Sequence, residues 1–336
     1  MTVRLTVQHD AWERHVTAVA GAVDGLVPVV KGNGYGYGRA TLHPIAARLA
    51  DRVCVGTVHE LDHVDPAVTP IVLTPTLTAP ASTAPILTVG APAHVEALDG
   101  WPGRVVVKLR SSMSRYGVTP PQLDRFAAAV TADGLTIDGA AIHLPLAGDD
   151  ATRVGEIEAW LSVLPTGWEL TVSHLAADCF AALQRAHPER RLRLRAGTAL
   201  WHGDKSFLHL GADVLDLHDH VGVDRDRVDH DDRDDSDGDG DGGRRAVAAG
   251  YHGTPVPDGT VALALVGAGS ANGIAPLADG RSPFHFGRRR LPLLEPPHMH
   301  TSMCLVATDA PRPRVGDVVD VQRPLITTTV DELVWT

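Results

Sequence analysis

The chain has 336 residues and a net charge of −11, with 44% apolar and only 4% aromatic residues. That length allows a large core and two domains, and the charge argues against nucleic acid as a partner. Cys54, Cys179 and Cys304 are too few and too scattered for a disulfide framework or a zinc site, which fits a reducing, cytoplasmic setting; no run of 18 apolar residues offers a membrane span, and Met1–Asp10 has no apolar signal core.

Asp10–Val23 has the spacing of an amphipathic helix, and Leu26–Val30 reads as a strand ending at Lys31. A helix is expected over His43–Ala50 with Pro44 in its first turn, then a strand at Arg52–Val58 and a short helix at Glu60–Val64. Pro70–Leu73 and Ile86–Val89 are short apolar runs of strand type, and Ala91–Leu98 is helical in pattern. Arg104–Leu109 is a strand followed by a helix over Pro120–Ala132. Leu135–His143, Glu169–His174 and Arg191–Arg195 are further strands, separated by helices at Ala151–Leu164 and Phe180–His187. Eight strand candidates alternating with helices or turns over roughly 200 residues indicate a (β/α)₈ TIM barrel, an α/β fold, with an open doubly wound sheet as the alternative.

The composition then breaks. Asp224–Gly243 reads DRDRVDHDDRDDSDGDGDGG, whose only apolar residue is Val228. It cannot bury apolar area and is expected to be a disordered linker. Asp235-x-Asp237-x-Asp239-Gly240 matches the front of a calcium loop, but Ala246 stands where the bidentate Glu belongs, and a solvated linker is the favoured reading. Beyond it, Val261–Val266, Met303–Ala307 and Val315–Val321 are strand-like between Gly/Pro turns, with one helix expected at Val330–Val334. The expected domains are a barrel over 10–220, the acidic linker over 221–243 and a smaller all-β domain over 244–336.

The chemistry concentrates in Val29-Val30-Lys31-Gly32-Asn33-Gly34-Tyr35-Gly36-Tyr37-Gly38. A lysine at the end of a buried strand has no solvent to reach, so desolvation lowers its pKa and makes the amine a nucleophile toward an aldehyde. Alternating glycines let backbone approach a ligand. A Walker A loop would place its lysine after the glycines, and a dinucleotide fingerprint would need a third glycine at another offset. A plain surface lysine after a strand is the competing reading. In a barrel the strand ends carry the chemistry. Those ends hold Lys31, the run Lys108–Val118 with Arg115, then His143, Ser173-His174 and Arg195-Ala196-Gly197. Basic and imidazole groups would therefore ring one mouth.

In these segments the chain resembles the alanine racemase family, pyridoxal 5′-phosphate enzymes built as a barrel plus a β domain. Val29–Gly38 resembles that family's lysine motif, with glycines in place of two alanines, and Lys108–Val118, Ala141–Leu144 and Arg195–Gly203 follow it well. Gly250-Tyr251, Met299–Met303 and Val315–Val319 echo it weakly. The resemblance implies that Lys31 holds the cofactor as a Schiff base and acts as base on one face of the substrate α-carbon. It implies that Tyr35 and Gly197 contact the phosphate, and that Arg115 lies near the phenolic oxygen and the substrate carboxylate. Lys108 would lie beside Arg115, where the family often carries a carbamylated lysine. His143 would lie against the pyridine ring, with Ser173 among the cofactor-binding residues. Arg195 would face the ring nitrogen; an arginine cannot give up its proton, which leaves the ring a weaker electron sink. A small amino acid as substrate and a homodimer, with the β domain of one chain over the barrel mouth of the other, follow from the same resemblance. No metal is implied.

One departure stands out. Racemisation by two bases needs an acid/base group on each face of the α-carbon, and the family supplies the second as a tyrosine in a Gly-Tyr-Ala-Asp-Gly-like turn. Here the matching run is Leu265–Gly273, without tyrosine; Ser270 or Ala268 stands in its place. His298 or His300 is a possible replacement, since histidine titrates near neutrality, and His300 is carried forward as a catalytic candidate with Lys31 and Arg115. Three functions remain open: racemase with a substituted second base, another reaction of the same cofactor such as decarboxylation or one-face exchange, and a cofactor-binding protein without turnover. Arg195 speaks against decarboxylation, because decarboxylases of related fold place an acid at the ring nitrogen.

Overall fold

The computed structural model describes residues 2–219 and 248–336, so the acidic run 224–243 and its calcium-like pattern lie outside the described residues. The chain divides into two compact units, Gln8–Phe207 and a second made of the residues before Gln8 with those after Phe207.

Gln8–Phe207 is a (β/α)₈ barrel. Its strands are Leu26–Pro28, Arg52–Val55, Thr69–Val72, Ile86–Val89, Arg104–Lys108, Thr136–Ala141, Glu169–Ser173 and Arg191–Ala196. From Arg52–Val55 onward each pairs in parallel with the next, and the last pairs with the first through Leu26–Leu194, Val27–Arg195 and Pro28–Ala196. The remaining seam is joined by a bridge between Val29 and Cys54, where the Val30 N–H donates to the Cys54 carbonyl at 2.8 Å. Buried Val27, Val29, Cys54, Ile71, Ile86 and Val106 share one apolar cluster. With so few aromatics, β-branched residues fill the interior, as parallel strands buried on both faces require.

The crossovers differ in places from expectation. The helix placed at His43–Ala50 runs Arg39–Leu49, so Pro44 lies inside it rather than in its first turn. The hydrogen bond that Pro44 cannot make would have gone to Ala40, whose exposure lets water take the carbonyl. The helix expected at Glu60–Val64 is a 3₁₀ turn, Val58–Glu60. No helix follows Thr69–Val72, because Pro75, Pro80 and Pro85 break the connection. The helix over Pro120–Ala132 is a 3₁₀ turn, Pro120–Gln122, continued by Leu123–Ala132.

Charged side chains brace the barrel at the end opposite its strand termini. Arg52 pairs with Asp138 at 2.5 Å and with Glu169 at 3.2 Å, while Arg193 holds Glu169 at 2.9 Å and Asp51 at 2.7 Å. Asp138 is the extra residue of a β-bulge between Val105–Ile137 and Val106–Gly139, the kind of irregularity that re-aims a side chain.

In the second unit, Val3–Val7 lies between Leu208–Asp219, antiparallel, and Glu332–Trp335, parallel. Leu208–Asp219 also pairs with Thr260–Val266 and Val318–Val321, and Ser302–Ala307 joins Thr260–Val266. Residues 208–219, which the sequence groups with the barrel, thus belong to this strand-rich unit. The helix expected at Val330–Val334 is instead the strand Glu332–Trp335. Its partner is the N-terminal strand, a pairing no local pattern announces. Val315–Val321 shortens to Val318–Val321 because Gly316, at φ +90°, turns the chain. Val3, Ala212, Val214, Ala264, Phe284 and Val319 belong to the core of this unit. Among the described residues no helix is long and apolar enough to cross a membrane.

Candidate active site

The loop after the first barrel strand is held from several sides. The Gly34 N–H donates to the Lys31 carbonyl at 3.0 Å and the Tyr37 N–H to the Gly34 carbonyl at 2.9 Å. Gly34 has φ +63°, and a β-carbon there would stand 2.5 Å from the Arg39 nitrogen, so the position requires glycine. One Glu60 carboxylate oxygen accepts from the Gly32 N–H at 3.1 Å and the Gly56 N–H at 2.9 Å. Tyr37 donates its hydroxyl to the Trp201 carbonyl, Trp201 its indole N–H to the Val29 carbonyl, and His202 bonds the Tyr35 carbonyl at 2.7 Å. The loop after Lys31 is thus tied to the short helix Thr198–His202 that follows the last strand.

Tyr35 takes a left-handed conformation, φ 57°. Its buried hydroxyl lies so close to Gly197 that a β-carbon there would be 2.1 Å from it. Two residues 162 positions apart in sequence therefore form one cradle, which only glycine at 197 leaves open. Burial raises the Tyr35 phenol above its ordinary pKa, so it stays a neutral donor.

Lys31 corrects one expectation. It is exposed at the mouth rather than shut away from solvent. Its pKa is nonetheless lowered, first by desolvation on its protein-facing side and then by Arg195 and Arg115. Lys108 is buried, and burial together with Arg195 and Arg115 holds its amine well below the usual range. Arg195 is buried and donates to the Ile142 carbonyl at 2.6 Å. Arg115 is exposed and lies over Tyr116, its guanidinium carbon 5.0 Å from the ring centroid and Nη2 donating to the hydroxyl at 3.0 Å. Among the described residues none of Lys31, Lys108, Arg115 and Arg195 is ion-paired to a carboxylate, so the mouth is built to receive anions.

His143 Nδ1 lies 2.9 Å from Ser173 Oγ, and its ring centroid 4.7 Å from that of His174. Burial, then Arg195, Lys108, His174 and Lys31, push His143 down to about 3, which keeps the imidazole neutral at ordinary pH. His174 donates Nδ1–H to the Leu144 carbonyl at 2.7 Å. The Ser111 hydroxyl donates to the His143 carbonyl at 2.6 Å, tying that strand end to the Arg115 loop.

The barrel mouth thus brings together Lys31, Tyr35, Arg115, His143, Ser173, Arg195 and Gly197. Sequence reading gives no role to Glu60, Tyr116, Trp201 or His202; each acts through a contact distant in sequence, and none carries a local signal.

In the strand-rich unit the tyrosine-free turn packs on the histidine-bearing one. The Ser270 N–H donates to the His298 carbonyl at 2.8 Å and the Ala271 N–H to the Met299 carbonyl at 2.9 Å. A β-carbon on Gly269 would stand 2.4 Å from both of those carbonyls. His300 is exposed and makes no hydrogen bond or ion pair among the described residues.

Residues 7–204 match the family model for the alanine racemase N-terminal domain. None of the curated proteins matches the chain. The fold is similar to the crystal structure of alanine racemase from Bartonella henselae with covalently bound pyridoxal phosphate, at a TM-score of 0.70 and 16% identity over 100% of both chains. It is similar to alanine racemase of Clostridium difficile 630, at 0.69 and 15% identity over 100% of this chain and 96% of that one. The biosynthetic alanine racemase of Pseudomonas aeruginosa gives 0.66 and 19% over 100% and 99%.

Proposed function

The chain belongs to the alanine racemase family, and from that premise we propose that it is a pyridoxal 5′-phosphate-dependent isomerase that racemises a small amino acid, with Lys31 as its cofactor lysine. The observation that carries the reading is Lys31 at the barrel mouth, its amine lowered in pKa by desolvation, Arg195 and Arg115, beside a cradle that glycine leaves open at 197.

The residues fit the cofactor. Tyr35 and Gly197 would take the cofactor's anionic phosphate, and neutral His143, bonded to Ser173, and buried Arg195 would receive its ring. When bound, pyridoxal phosphate supplies an aldehyde for amines and an electron-withdrawing ring that acidifies the substrate's α-proton.

The chain's own residues do the rest. Lys31 Nζ would hold the cofactor, and its lowered pKa keeps more of the amine neutral and so able to remove and return a proton on one face. Arg115 orients the substrate carboxylate, its guanidinium steadied on Tyr116. Arg195 remains charged despite burial and neither takes nor gives a proton. Lys108 is buried near Arg195 and Arg115, and burial with those two charges disfavours its protonated form. The reading includes a homodimer, and the free, buried Cys54 and Cys304 accord with a reducing cytoplasm.

Borohydride reduction and peptide mapping test it. The reduced pyridoxyl group should be found on Lys31, and Lys31→Ala should lose the cofactor absorbance; a label on another lysine would refute the assignment. Light scattering at micromolar concentration should give a dimer. A second reading, α-proton exchange on one face only, is favoured by the absence of tyrosine from Leu265–Gly273. Amino acids incubated in deuterated water separate the two, because racemisation loses optical activity and one-face exchange retains it.

A further inference from the structure

The Arg115 side chain rests on its own neighbour, Tyr116, so its aim is set by the backbone of the loop that carries it. The base of that loop is closed: the Arg110 N–H donates to the Val118 carbonyl at 2.8 Å and the Val118 N–H to the Lys108 carbonyl at 2.9 Å. The turn just before Arg115 is strained. Ser114 has φ 53°, and its N–H donates to the Ser111 carbonyl at 2.9 Å. A serine keeps that left-handed conformation only where its surroundings impose it.

What imposes it reaches across from a helix of the same barrel, Asp150–Leu161. Glu156 grips Ser112 with both carboxylate oxygens: Oε1 accepts from the backbone N–H at 2.6 Å and Oε2 from the hydroxyl at 2.9 Å. Four residues on, buried Trp160 donates its indole N–H to the Arg110 carbonyl at 3.2 Å. The same helix holds two further loops of the mouth. Buried Arg153 donates to the carbonyls of Pro145 at 3.0 Å, Leu146 at 2.6 Å and Gly148 at 3.0 Å, just beyond His143. Asp150 accepts from the Ala176 N–H at 2.9 Å, just beyond His174, and pairs with Arg153 at 2.7 Å. Positions 150, 153, 156 and 160 follow the three-to-four-residue spacing that puts side chains on one stripe of a helix. Buried Ile157 and Leu161 supply apolar packing, whereas this stripe spends its polar groups on loop backbone.

We propose that Glu156 is the positioning residue of Arg115: its grip on Ser112 fixes the turn at Ser114 and so aims the guanidinium at the substrate carboxylate. This rests on the racemase reading above, which gives Arg115 that task. Glu156 acts through the loop and not on the reacting atoms. Its loss weakens reception of the substrate carboxylate and leaves cofactor attachment at Lys31 in place. A glutamine keeps one acceptor oxygen for the Ser112 N–H and offers its amide N–H to the hydroxyl oxygen, so it retains most of the grip; alanine retains none.

The test uses holoenzyme with L-alanine as substrate. Glu156→Ala should raise KM for inversion about 10–100-fold with kcat little changed, and Glu156→Gln should restore most of the difference. In an Arg115→Ala background Glu156→Ala should lower kcat/KM no further, because nothing is left to aim. Independently of turnover, calorimetry with propionate, which has the carboxylate of alanine without its amine, should show binding to wild type that weakens in Glu156→Ala by the same factor. Amide hydrogen exchange over Ser112–Arg115 should quicken in Glu156→Ala while the barrel strands keep their protection. Propionate affinity unchanged in Glu156→Ala, or a loss of kcat/KM as large with Arg115 already replaced, would overturn the assignment. Should Glu156→Ala fail to fold, Ser112→Ala removes one of the two bonds and carries the same comparison at smaller size. Failure of the racemase reading looks different: wild type would not invert alanine, and the propionate and exchange measurements would still decide whether Glu156 positions Arg115.

Discussion

The hydroxyl of Tyr35 occupies the space that a β-carbon on residue 197 would need, with 2.1 Å between that carbon and the oxygen. Gly197 is not in a left-handed conformation, at φ −121°, so the glycine is required by close approach and not by backbone strain. Gly197→Ala should therefore fold normally but displace the phenol. Cofactor titration by absorbance should show affinity weakened at least tenfold, about 1.4 kcal/mol. An alanine variant that binds the cofactor as wild type does would mean that Tyr35 and Gly197 do not cradle it.

Lys108 should weaken the fold it sits in. Its folded pKa lies well below the ordinary lysine value near about 10.4, because of burial, Arg195 and Arg115. The unfolded chain thus binds that proton more tightly. Across the interval between the folded and unfolded values wild-type stability rises with pH, and below the interval the penalty is present in full. Lys108→Met should stabilise the cofactor-free protein near neutrality by about 0.5–2 kcal/mol and lose that share of the rise toward alkaline pH. Urea unfolding at two pH values reads both effects, and a Met variant less stable than wild type would show that the buried ammonium is compensated.

The ion cluster at the barrel's opposite end should act in the other direction. Glu169 is buried and shared by Arg52 and Arg193. Glu169→Ala leaves both guanidinium groups short of a partner and should cost about 3–5 kcal/mol. Gly139→Ala should also destabilise, since its β-carbon would stand 2.3 Å from the Glu169 carbonyl oxygen at φ +155°. Cofactor spectra of whatever folded protein remains should be unaltered, because neither residue lies at the mouth.

The barrel is legible in the sequence because its strands are short apolar runs between turn residues; Ile86–Val89 is buried at every position and stands at its expected bounds. The lysine loop is legible because alternating glycines have few other uses. What escapes is contact across long sequence distance. Glu60 reaches Gly32 from 28 residues away, and Arg4 meets Glu332 across 328. The same cause hides the parallel pairing that turns an expected terminal helix into the strand Glu332–Trp335. Glu295 escapes for another reason: three residues before His298, it reads as a surface acid until Gly250–His252 is seen closing over its carboxylate.

The two positions where a tyrosine could be restored are not equivalent. Ala268 is 0% exposed, and its carbonyl accepts from the Ser302 hydroxyl at 2.7 Å. A tyrosine there must force apart a filled core, and Ala268→Tyr should destabilise by about 1–3 kcal/mol or more. Ser270 is exposed, and among the described residues its tie to the neighbouring turn is its N–H on the His298 carbonyl, which a side-chain change leaves intact. Ser270→Tyr should fold with wild-type stability. On the racemase reading it should also raise inversion above the wild-type rate, because a phenol is a competent general acid where a serine hydroxyl is not. Thermal unfolding and inversion assays on the two tyrosine variants read this directly. A stable Ala268→Tyr variant would show that the core around residue 268 can open to take a phenol.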